Sequence, residues 1–473
     1  MKLYLNNVGV IKDSTIMLDG LTVITGKNSS GKTTVGKTMY SLLSASNDLE
    51  EAFESSKRRY IISKISDVGK VLKISRLVSF RLNESHRSKD LLFVLATKRF
   101  LRFDNEQLQN YLYDLNNRVD ELSLSEYIDY FYSDNGYMSI ETVKKHFEDW
   151  KKQALDIIYT TNKFILEDQS YYIFNKDRTR AFLTHEFNNQ IKPVKHKRCV
   201  STIRFFDNET DIVDIKVRSN SSFEFSNDSS FYYPFDRCIY IDNPYIIDDL
   251  DKYNYIQHSQ FGMYDARQME SFITSEDIKD HNEILCDLLL NHTIKNFFDH
   301  SELQDKYKEV FEKINKIVPG EFEQDSEGYY YISNGSRLSV KNLATGSKMF
   351  FIIKKLLING LINDKTMLIL DEPESHLHPE WINKFAEILV ALIKEIKVNV
   401  LLTTHSPNLL LALNVYSKKM NIEKNSHFYL AEKMDDGYFS QIRNIDNSIG
   451  EGYSHLSIPI VEMNLELEKF NGE

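Results

Sequence analysis

The chain is poor in the residues that build cross-linked or metal-stapled proteins. It has three cysteines in 473 residues, Cys199, Cys238 and Cys286, and no CxxC pair. An odd, widely spaced set counts against a disulfide framework and against a cysteine-based zinc site. Glycine is also scarce, with 17 residues, about half of the usual share of roughly 7%. Each glycine is therefore a candidate for a special backbone role.

Long apolar runs and an excess of positive charge are absent too. The N-terminal MKLYLNNVGVIKDSTIMLDG is interrupted by Asn, Lys and Asp, so it lacks the apolar core of a signal peptide. No stretch approaches the ~18 uninterrupted apolar residues of a membrane span. Lys and Arg number 58 against 69 Asp and Glu, a net charge of −11, which counts against a surface that grips nucleic acid or anionic lipid as a whole. We expect a soluble cytoplasmic protein with no membrane partner.

The hydrophobic pattern predicts an α/β chain. Hydrophobic residues make up 42% of the 473 residues, enough for sizeable cores, and this length gives a prior of about three domains. Runs at Leu3–Leu5 and Leu21–Thr25 predict two strands near the N-terminus. The segment that follows predicts a helix, because apolar residues recur on one of its faces. These residues are Val35, Met39, Leu42 and Leu43.

A helical segment and a strand-rich segment come next. Residues 47 to 168 have helical spacing, no proline and no sustained heptad register, so we predict a helical insertion rather than a coiled coil. Alternating segments at Ile203–Phe206, Ile212–Val217 and Cys238–Ile241 predict strands. Residues 270–318 again have a helical pattern, and Asn334-Gly335 predicts a hairpin turn.

The most specific motif lies between a predicted strand and a predicted helix and fits G-x-x-x-x-G-K-[ST]. In this pattern the glycines let the backbone wrap a phosphate with its N–H groups pointing inward. The lysine reaches the β- and γ-phosphates, and the hydroxyl that follows it ligates Mg²⁺. The sequence therefore predicts a site for nucleotide phosphates. Its residues are Gly26, Lys27, Asn28, Ser29, Ser30, Gly31, Lys32, Thr33 and Thr34.

Two downstream strands end in polar residues that suit the same site. The apolar run Met367–Leu370 leads into Asp371 and Glu372. Asp371 would hold Mg²⁺ directly or through water, and Glu372 would orient or deprotonate the attacking water. The apolar run Val398–Leu402 leads to His405, which would hydrogen-bond the γ-phosphate. An acidic strand end facing solvent and a surface histidine are the structural alternatives.

A small, hydroxyl-rich turn precedes the acidic strand and opens a helix that we predict at Met349–Asn359. Thr345, Gly346 and Ser347 form a second candidate anion site at this helix N-terminus. An ordinary helix start with Thr345 or Ser347 as the N-cap is the alternative.

The ordered segments GKNSSGKTT, ATGSK, TMLILDEPESHLHP and TTHSP resemble the ABC-type ATPase heads of the RecF, SMC and overcoming-lysogenization (OLD) nuclease group. The DEPE-x-HLHP wording is most similar to bacterial AAA-like ATP-binding proteins. The resemblance covers residues 1–43 and 330–465. It implies an α/β P-loop head with a mixed sheet, a β-lobe and a large helical insertion. The boundaries that we expect are 1–46 and 330–473 for the composite head, 47–170 for the insertion, 171–245 for the β-lobe and 246–329 for a connecting helical segment.

The resemblance also assigns roles within a pair of heads that close head-to-tail over two ATPs. Lys32, Thr33, Asp371, Glu372 and His405 would act from one subunit. The turn that contains Thr345, Gly346 and Ser347 would cap the γ-phosphate from the other subunit.

One position departs from the family pattern, and one family residue needs an assignment. Ala344 stands where the family usually has serine, so Thr345 or Ser347 would supply the hydroxyl and turnover would be slow. The family places a metal-reaching glutamine in the β-lobe. Gln190 is the candidate for this metal ligand, and a plain surface glutamine is the alternative.

Stand-alone heads with helical insertions are similar to the ATPase components of bacterial anti-phage systems such as PARIS and Septu. This resemblance implies an ATPase with ATP and Mg²⁺ as cofactors. It also implies self-association, as a head-to-tail dimer or a higher oligomer, and control of a nuclease or toxin encoded nearby. No acidic nuclease cluster follows His405, so we expect any nuclease activity to come from that other protein.

A RecF-like DNA-repair ATPase is the main alternative. The densest basic cluster would contact a DNA backbone in that case, although such runs are more often solvated faces. The net charge of −11 favours protein partners over DNA. A transporter subunit is disfavoured by the helical insertion, whereas a nucleotide-binding scaffold that hardly hydrolyses stays open because of Ala344. The basic cluster consists of Lys192, Lys195, His196, Lys197 and Arg198.

Overall fold

The computed structural model describes residues 1–72, 105–131, 139–166, 170–196, 198–208, 210–219, 222–226, 231–253, 278–291, 307–325 and 328–471. The chain forms two units. The first comprises Met1–Asn47, Arg178–Gly262 and Ile278–Glu473, and the second comprises Asp48–Asp177 and Met263–Asp277. Each unit has a hydrophobic core of its own.

The strands belong to the first unit, where most of them join one large sheet. Within the described residues, eleven strands hydrogen-bond in the order β6-β5-β4-β1-β2-β14-β13-β3-β12-β11-β7, and β10-β9-β8 form a separate small sheet. In chain order the strands are β1 (Lys2–Val8), β2 (Ile11–Met17), β3 (Leu21–Gly26), β4 (Ser201–Asp207), β5 (Thr210–Ser219), β6 (Ser222–Phe225), β7 (Arg237–Ile241), β8 (Glu321–Asp325), β9 (Gly328–Ser333), β10 (Ser336–Ser339), β11 (Thr366–Asp371), β12 (Asn399–Thr404), β13 (Ser426–Lys433) and β14 (Ser440–Asn444).

The large sheet has a parallel half and an antiparallel half. Strands β13, β3, β12, β11 and β7 run parallel to one another, whereas β2, β1, β4, β5 and β6 pair antiparallel. Every residue of β3 and of β11 is buried, as expected for parallel strands that are covered on both faces. The predicted α/β class with a mixed sheet is confirmed.

Twelve helices have defined bounds within the described residues. They are α1 (Lys32–Ser46), α2 (Leu49–Leu72), α3 (Asn105–Glu121), α4 (Leu124–Phe131), α5 (Ile140–Leu166), α6 (Ser170–Glu186), α7 (His281–Asn291), α8 (Lys308–Asn315), α9 (Thr345–Ile358), α10 (Pro379–Ile396), α11 (Pro407–Lys419) and α12 (Ile449–Asn471). Among the described residues, none of the helices has the combined length and apolar character that crossing a bilayer would require.

Helix α1 packs on the parallel strands of the first unit. Val35, Met39, Leu42 and Leu43 are fully buried, so the helix face predicted from their spacing is confirmed. Gly36 allows the close approach, because a Cβ there would lie only 3.2 Å from Ile369 Cγ2 on β11. The helix that follows the phosphate-binding motif is thereby held against the strand that carries Asp371.

The described part of the second unit consists of helices. Its core combines apolar residues of α2, α3, α4 and α5. The aromatic rings of Tyr127, Phe147 and Trp150 lie within 6.1 Å of one another, measured between centroids. This core gives the second unit an interior of its own.

The structure confirms some of the predicted elements and differs from others. The hairpin at Asn334-Gly335 is confirmed, since both residues have positive φ, 50° and 73°. Strand β2 was not predicted, because Lys12 and Asp13 interrupt its apolar run. Asp13 is exposed and Lys12 is half-buried against the Phe439 ring, while Ile11 and Ile16 are buried.

Two further elements differ in extent or in position. Helix α9 begins at Thr345 instead of Met349, so the hydroxyl-rich turn is the first turn of the helix itself. Strand β7, which the sequence grouped with the β-lobe, pairs with β11 in the parallel half of the sheet. The proposed division into head, insertion, lobe and connecting segment stays a prediction.

Candidate functional site

The parallel strands bring distant residues to one edge of the sheet. Strand β3 leads into the glycine-containing loop, β11 ends at Asp371, β12 ends at Thr404 and β7 ends at Ile241. In the strand register, Thr25 lies opposite Thr404 and Asp371 lies opposite Thr403. Ligands of open α/β sheets bind at this carboxyl edge, which is reached by the glycine-containing loop, by Asp371 and by the end of β12 before His405.

The loop after β3 has a backbone that suits a bound anion. Gly26 has φ 153°, Ser29 has φ 62° and Gly31 has φ 92°. A Cβ at Gly26 would lie 2.4 Å from the carbonyl oxygen of Ala431, so no larger residue fits there. The loop ends where α1 begins, and a helix N-terminus presents free N–H groups and a partial positive charge.

The loop forms one wall of a cavity of about 460 Å³. Ser30 is buried, and its hydroxyl has no hydrogen-bond partner among the described residues, so it is suited to a ligand oxygen. The cavity is lined by Val10, Asn28, Ser29, Ser30, Gly31, Lys32, Thr33, Thr34, Asp242, Asp371, Glu372, Ser375 and His376.

The Lys32 ammonium lies between the loop and the acidic strand end. Its Nζ donates to the carbonyl oxygens of Gly26 at 3.0 Å and Lys27 at 3.1 Å. It also lies 3.3 Å from Glu372 Oε1, and the lysine side chain is only 4% exposed. A buried ammonium needs such compensation, and phosphate oxygens would provide the same kind of partner.

Asp371 is buried and held at both carboxylate oxygens. Its Oδ1 accepts a short hydrogen bond from Thr403 Oγ1, and its Oδ2 accepts one from Tyr240 at 3.2 Å. Thr33 lines the same cavity, so a hydroxyl and a carboxylate supply the hard oxygen donors that Mg²⁺ prefers. No group of three or more His, Cys, Asp or Glu in the described part of the chain forms an all-protein metal cage.

Glu372 has a strained backbone that aims its side chain at the cavity. Its φ and ψ are both 50°, a left-handed conformation that costs a non-glycine residue of the order of 1 kcal/mol. Its N–H donates to the carbonyl oxygen of Thr403 at 3.1 Å, which fixes the turn. The carboxylate lies between Lys32 and His405, whose Nδ1 is 3.2 Å from Glu372 Oε2.

Glu374 ties the loop after β11 to the end of β12. It is buried, and its Oε1 accepts hydrogen bonds from Thr404 Oγ1 at 2.5 Å and from the His405 N–H at 3.1 Å. Burial raises the pKa of this carboxyl, although hydrogen bonds from Thr404 and the charge of His405 oppose the shift. Through these hydrogen bonds, Glu374 holds the backbone at His405.

The turn at the start of α9 lies outside the cavity of its own chain. Thr345, Gly346 and Ser347 are half-buried, and they are not among the described residues that line the cavity. The N-cap is Ala344, which makes no side-chain capping bond. Neither hydroxyl is the N-cap, so the capping alternative for this turn is wrong.

Neighbouring segments fix this turn closely. A Cβ at Gly346 would lie 3.0 Å from Trp381 Cε3 and 3.3 Å from the carbonyl oxygen of His376. The hydroxyls of Thr345 and Tyr245 are 3.1 Å apart. The loop that follows Glu372 therefore packs directly against the turn.

Gln190 lies beside the helix that follows the phosphate-binding loop. It is exposed and lines a second cavity of about 340 Å³ together with Thr33, Thr34 and Lys37. Because Thr33 lines both cavities, the position is compatible with the predicted role. The assignment of Gln190 as a metal ligand stays a prediction.

The basic cluster is partly engaged within the chain. Lys192 donates to the carbonyl oxygen of Arg218, His196 stacks on Phe439 with centroids 4.9 Å apart, and Lys195 Nζ lies 5.2 Å from the Tyr438 ring centre. Lys197 lies outside the described residues. These contacts give part of the cluster a packing role in the first unit.

The structure adds residues that the sequence analysis missed. Asp242 follows the apolar strand β7 and lines the main cavity. The signal was available, because an acidic residue after an apolar strand also identified Asp371. Tyr240 carried no such signal, since only the pairing of β7 with β11 brings its hydroxyl to Asp371.

One family of known proteins matches most of this chain. A sequence model described as an AAA ATPase domain matches residues 1–410, and no curated protein matches the chain. The SMC head domain from Thermotoga maritima shares 10% identity, covers 94% of this chain and 97% of that chain, and has a TM-score of 0.32. The Smc head domain with a coiled coil and joint derived from Pyrococcus yayanosii shares 12% identity over 97% and 99% of the two chains, with a TM-score of 0.33.

Both TM-scores are low, so the assignment rests on the family match and on the site. The match extends from the first residue to beyond His405 and therefore includes every motif that converges on the cavity. The chain belongs to the AAA ATPase domain family.

Proposed function

We propose that this protein is an ATP-hydrolysing molecular switch whose ATP sites are completed by a second copy of the chain. One observation carries the proposal. Lys32, Asp371 and Glu372 share one cavity, whereas the half-buried turn at the start of α9 is not among the described residues that line it. A helix N-terminus with free N–H groups that lies outside the cavity of its own chain is suited to a site on another copy.

The binding half of the site is formed by the loop and the acidic strand end. The loop N–H groups and Lys32 would hold the β- and γ-phosphates. Thr33 and Asp371 would hold Mg²⁺, with Gln190 as a further proposed ligand. When bound, Mg²⁺ would neutralise charge on the phosphates.

The hydrolytic half consists of Glu372 and His405. The Glu372 carboxylate is held between an ammonium and an imidazole, so its orientation is set before substrate arrives. It would orient the attacking water or accept its proton. His405 would hydrogen-bond the γ-phosphate and detect its loss.

The turn of the second copy would supply the last donors to the γ-phosphate. The Thr345 hydroxyl is within hydrogen-bond distance of Tyr245, which favours Ser347 as the hydroxyl that replaces the family serine at Ala344. Because Ser347 would supply this hydroxyl from a different position in the turn, we expect ATP turnover to be slow.

We further propose that the switch controls a separate nuclease or toxin in bacterial anti-phage defence. This role is supported by the resemblance to the ATPase components of such systems. The net charge of −11 supports a protein partner over DNA. An ATP-strengthened, salt-sensitive binding of DNA would instead support the RecF-like alternative.

Two variants test the switch. Glu372→Gln should lower the ATPase rate by at least about 100-fold, because the carboxylate that activates water is lost, while ATP still binds and the assembled state accumulates. Ser347→Arg should retain ATP binding and lose ATP-dependent self-association. The measurements are phosphate release and light scattering after size-exclusion chromatography.

Matched controls are exposed residues away from the site. Glu423→Gln and Ser336→Arg change the same residue types on the surface and should behave like the wild type. Wild-type phosphate release by Glu372→Gln would contradict the assigned chemistry. ATP-dependent assembly that survives Ser347→Arg would contradict the head-to-tail site.

A further inference from the structure

A second carboxylate lies beside Asp371 at the edge of the sheet. Strand β7 pairs with β11 in parallel register, with Ile241 opposite Leu370, so Asp242 and Asp371 are the next residues along the two strands. Both line the cavity of about 460 Å³. The Asp242 side chain is one-third exposed, which leaves it accessible from the cavity.

A buried histidine holds Asp242 from the protein side. His281, the first residue of α7, is only 7% exposed, and its Nε2 lies 2.9 Å from Asp242 Oδ2. Its ring stacks on Tyr240 with centroids 4.5 Å apart and meets the Tyr40 ring edge-on at 5.7 Å. Packing therefore leaves this imidazole little freedom to rotate.

The stacked pair of Tyr240 and His281 also contacts Asp371. The hydroxyl of Tyr240, on which His281 stacks, donates to Asp371 Oδ2 at 3.2 Å. The two cavity carboxylates are thus oriented by two aromatic side chains that lie against each other. A purely structural ion pair would not need both carboxylates to open into one cavity of about 460 Å³.

Charge balance within the cluster also favours a ligand at Asp242. Nδ1 of His281 lies 2.9 Å from Glu186 Oε1, which is itself 3.6 Å from Lys37 Nζ. Glu186 is nearly fully buried, at 3% side-chain exposure. Lys37 and His281 both lie beside the buried Glu186 carboxylate. His281 contacts Asp242 at Oδ2, which leaves Oδ1 of Asp242 for the cavity.

We propose that Asp242 is a further residue of the nucleotide site, facing the hydrated Mg²⁺ of a bound nucleoside triphosphate, and that His281 is its positioning residue. The proposal rests on the proposed ATP-binding function. Asp242 would accept hydrogen bonds from water on the cation, next to Asp371. Groups that orient a metal's surroundings typically contribute roughly 10- to 100-fold to metal affinity or activity.

The experiment measures ATP binding as a function of Mg²⁺ concentration by isothermal titration calorimetry. Asp242→Asn should raise the Mg²⁺ concentration at half-saturation by roughly tenfold, with less effect on ATP binding in EDTA. Asp249→Asn is the matched control, since Asp249 lies on the adjacent turn, pairs with Lys252 and is absent from the described lining of the cavity.

Variants of His281 separate positioning from folding. His281→Gln keeps a donor for Asp242 and should stay near the wild-type Mg²⁺ requirement, whereas His281→Leu should match Asp242→Asn. The double variant His281→Leu with Asp242→Asn should need no more Mg²⁺ than either single variant, since both changes remove the same interaction. Thermal unfolding checks that each variant is folded.

The outcomes distinguish this inference from the function on which it rests. If the wild-type chain binds no ATP, the proposed function fails. If the wild-type chain binds ATP and Asp242→Asn has the same Mg²⁺ requirement, the role of Asp242 is overturned. If Asp242→Asn shifts the requirement and folded His281→Leu does not, the positioning role of His281 is overturned.

Discussion

At the residue scale, the site consists of charged groups that are compensated before any ligand binds. Lys32 is neutralised by Glu372 and two carbonyl oxygens, and Glu372 is shared with His405. Burying a charge without such a partner would cost several kcal/mol. A bound phosphate would therefore replace existing partners of Lys32 rather than pair with an uncompensated charge.

His281 shows how strongly this compensation acts on one titratable group. Burial by itself would lower the pKa of the imidazole, but Asp242 and Glu186 on either side outweigh it and raise the pKa to about 9. Tyr40 and Tyr240 are the other titratable groups that pack on the ring. A histidine with a raised pKa stabilises the fold fully below its unfolded value of 6.5, and this stabilisation disappears as the pH rises through about 9.

We expect the free energy of unfolding to fall by roughly 2–3 kcal/mol as the imidazolium loses its proton between pH 6.5 and about 9. His281→Gln should remove this part of the pH dependence, because its amide does not titrate. Urea unfolding at a series of pH values measures it. The control His185→Gln replaces an exposed histidine and should keep the wild-type slope. Equal slopes in the wild type and in His281→Gln would contradict the assignment.

At the scale of elements, the 3₁₀ turn Pro244–Asp249 fixes the start of α9. Lys348 Nζ donates to both oxygens of Asp248 at 2.6 Å, and Tyr245 contacts Thr345 and His376. This turn follows β7 directly. A single connection therefore links the cavity end of β7 to the turn that we propose acts on the other copy.

Asp248→Ala tests this connection. The Lys348 ammonium is 3% exposed and Asp248 is 29% exposed, so the loss should destabilise the fold by about 2 kcal/mol, less than for a fully buried pair. ATP-dependent self-association should weaken, while ATP binding changes little. Chemical denaturation and light scattering measure the two effects. Asp249→Ala should show neither, because Asp249 pairs with Lys252 on the surface, and equal stability of the two variants would contradict the role of the pair.

At the scale of the whole molecule, the first unit is assembled from separate segments of the sequence, and we propose that its ATP site is assembled from two copies of the chain. The first unit is assembled from Met1–Asn47, Arg178–Gly262 and Ile278–Glu473. Glu186 and His281 lie close to the points where the chain returns from the second unit's segments. The ion pair between His281 and Glu186 thus joins the residues near these two returns.

A mixing experiment tests the arrangement between copies. Lys32→Ala removes the phosphate-binding lysine, and Ser347→Arg blocks the α9 turn, so each variant alone should hydrolyse no ATP. In an equal mixture, hybrid pairs contain one intact head-to-tail site, and activity should return to about a quarter of the wild-type value. Phosphate release against the mixing ratio measures this, with the double variant in place of either partner as the control. A mixture as inactive as its components would contradict the shared site.

The sequence by itself determined the local chemistry of this protein. The loop from Gly26 to Thr34, the acidic end of β11 and the Asn334-Gly335 hairpin follow from local rules, because glycine conformation, apolar strands and helix starts depend on near neighbours. The α/β class follows from the same patterns. The charged residues Lys12 and Asp13 hid strand β2, since strand formation there depends on pairing with β1 and β14.

Only the tertiary structure decided which residues share the cavity. Asp242 joins Asp371 because β7 takes the place beside β11, and His281 contacts both Asp242 and Glu186, which come from other segments of the sequence. Periodicity and motif spacing report local conformation and say nothing of strand order. Strand order and register are set by the burial of whole faces, which the folded chain alone resolves.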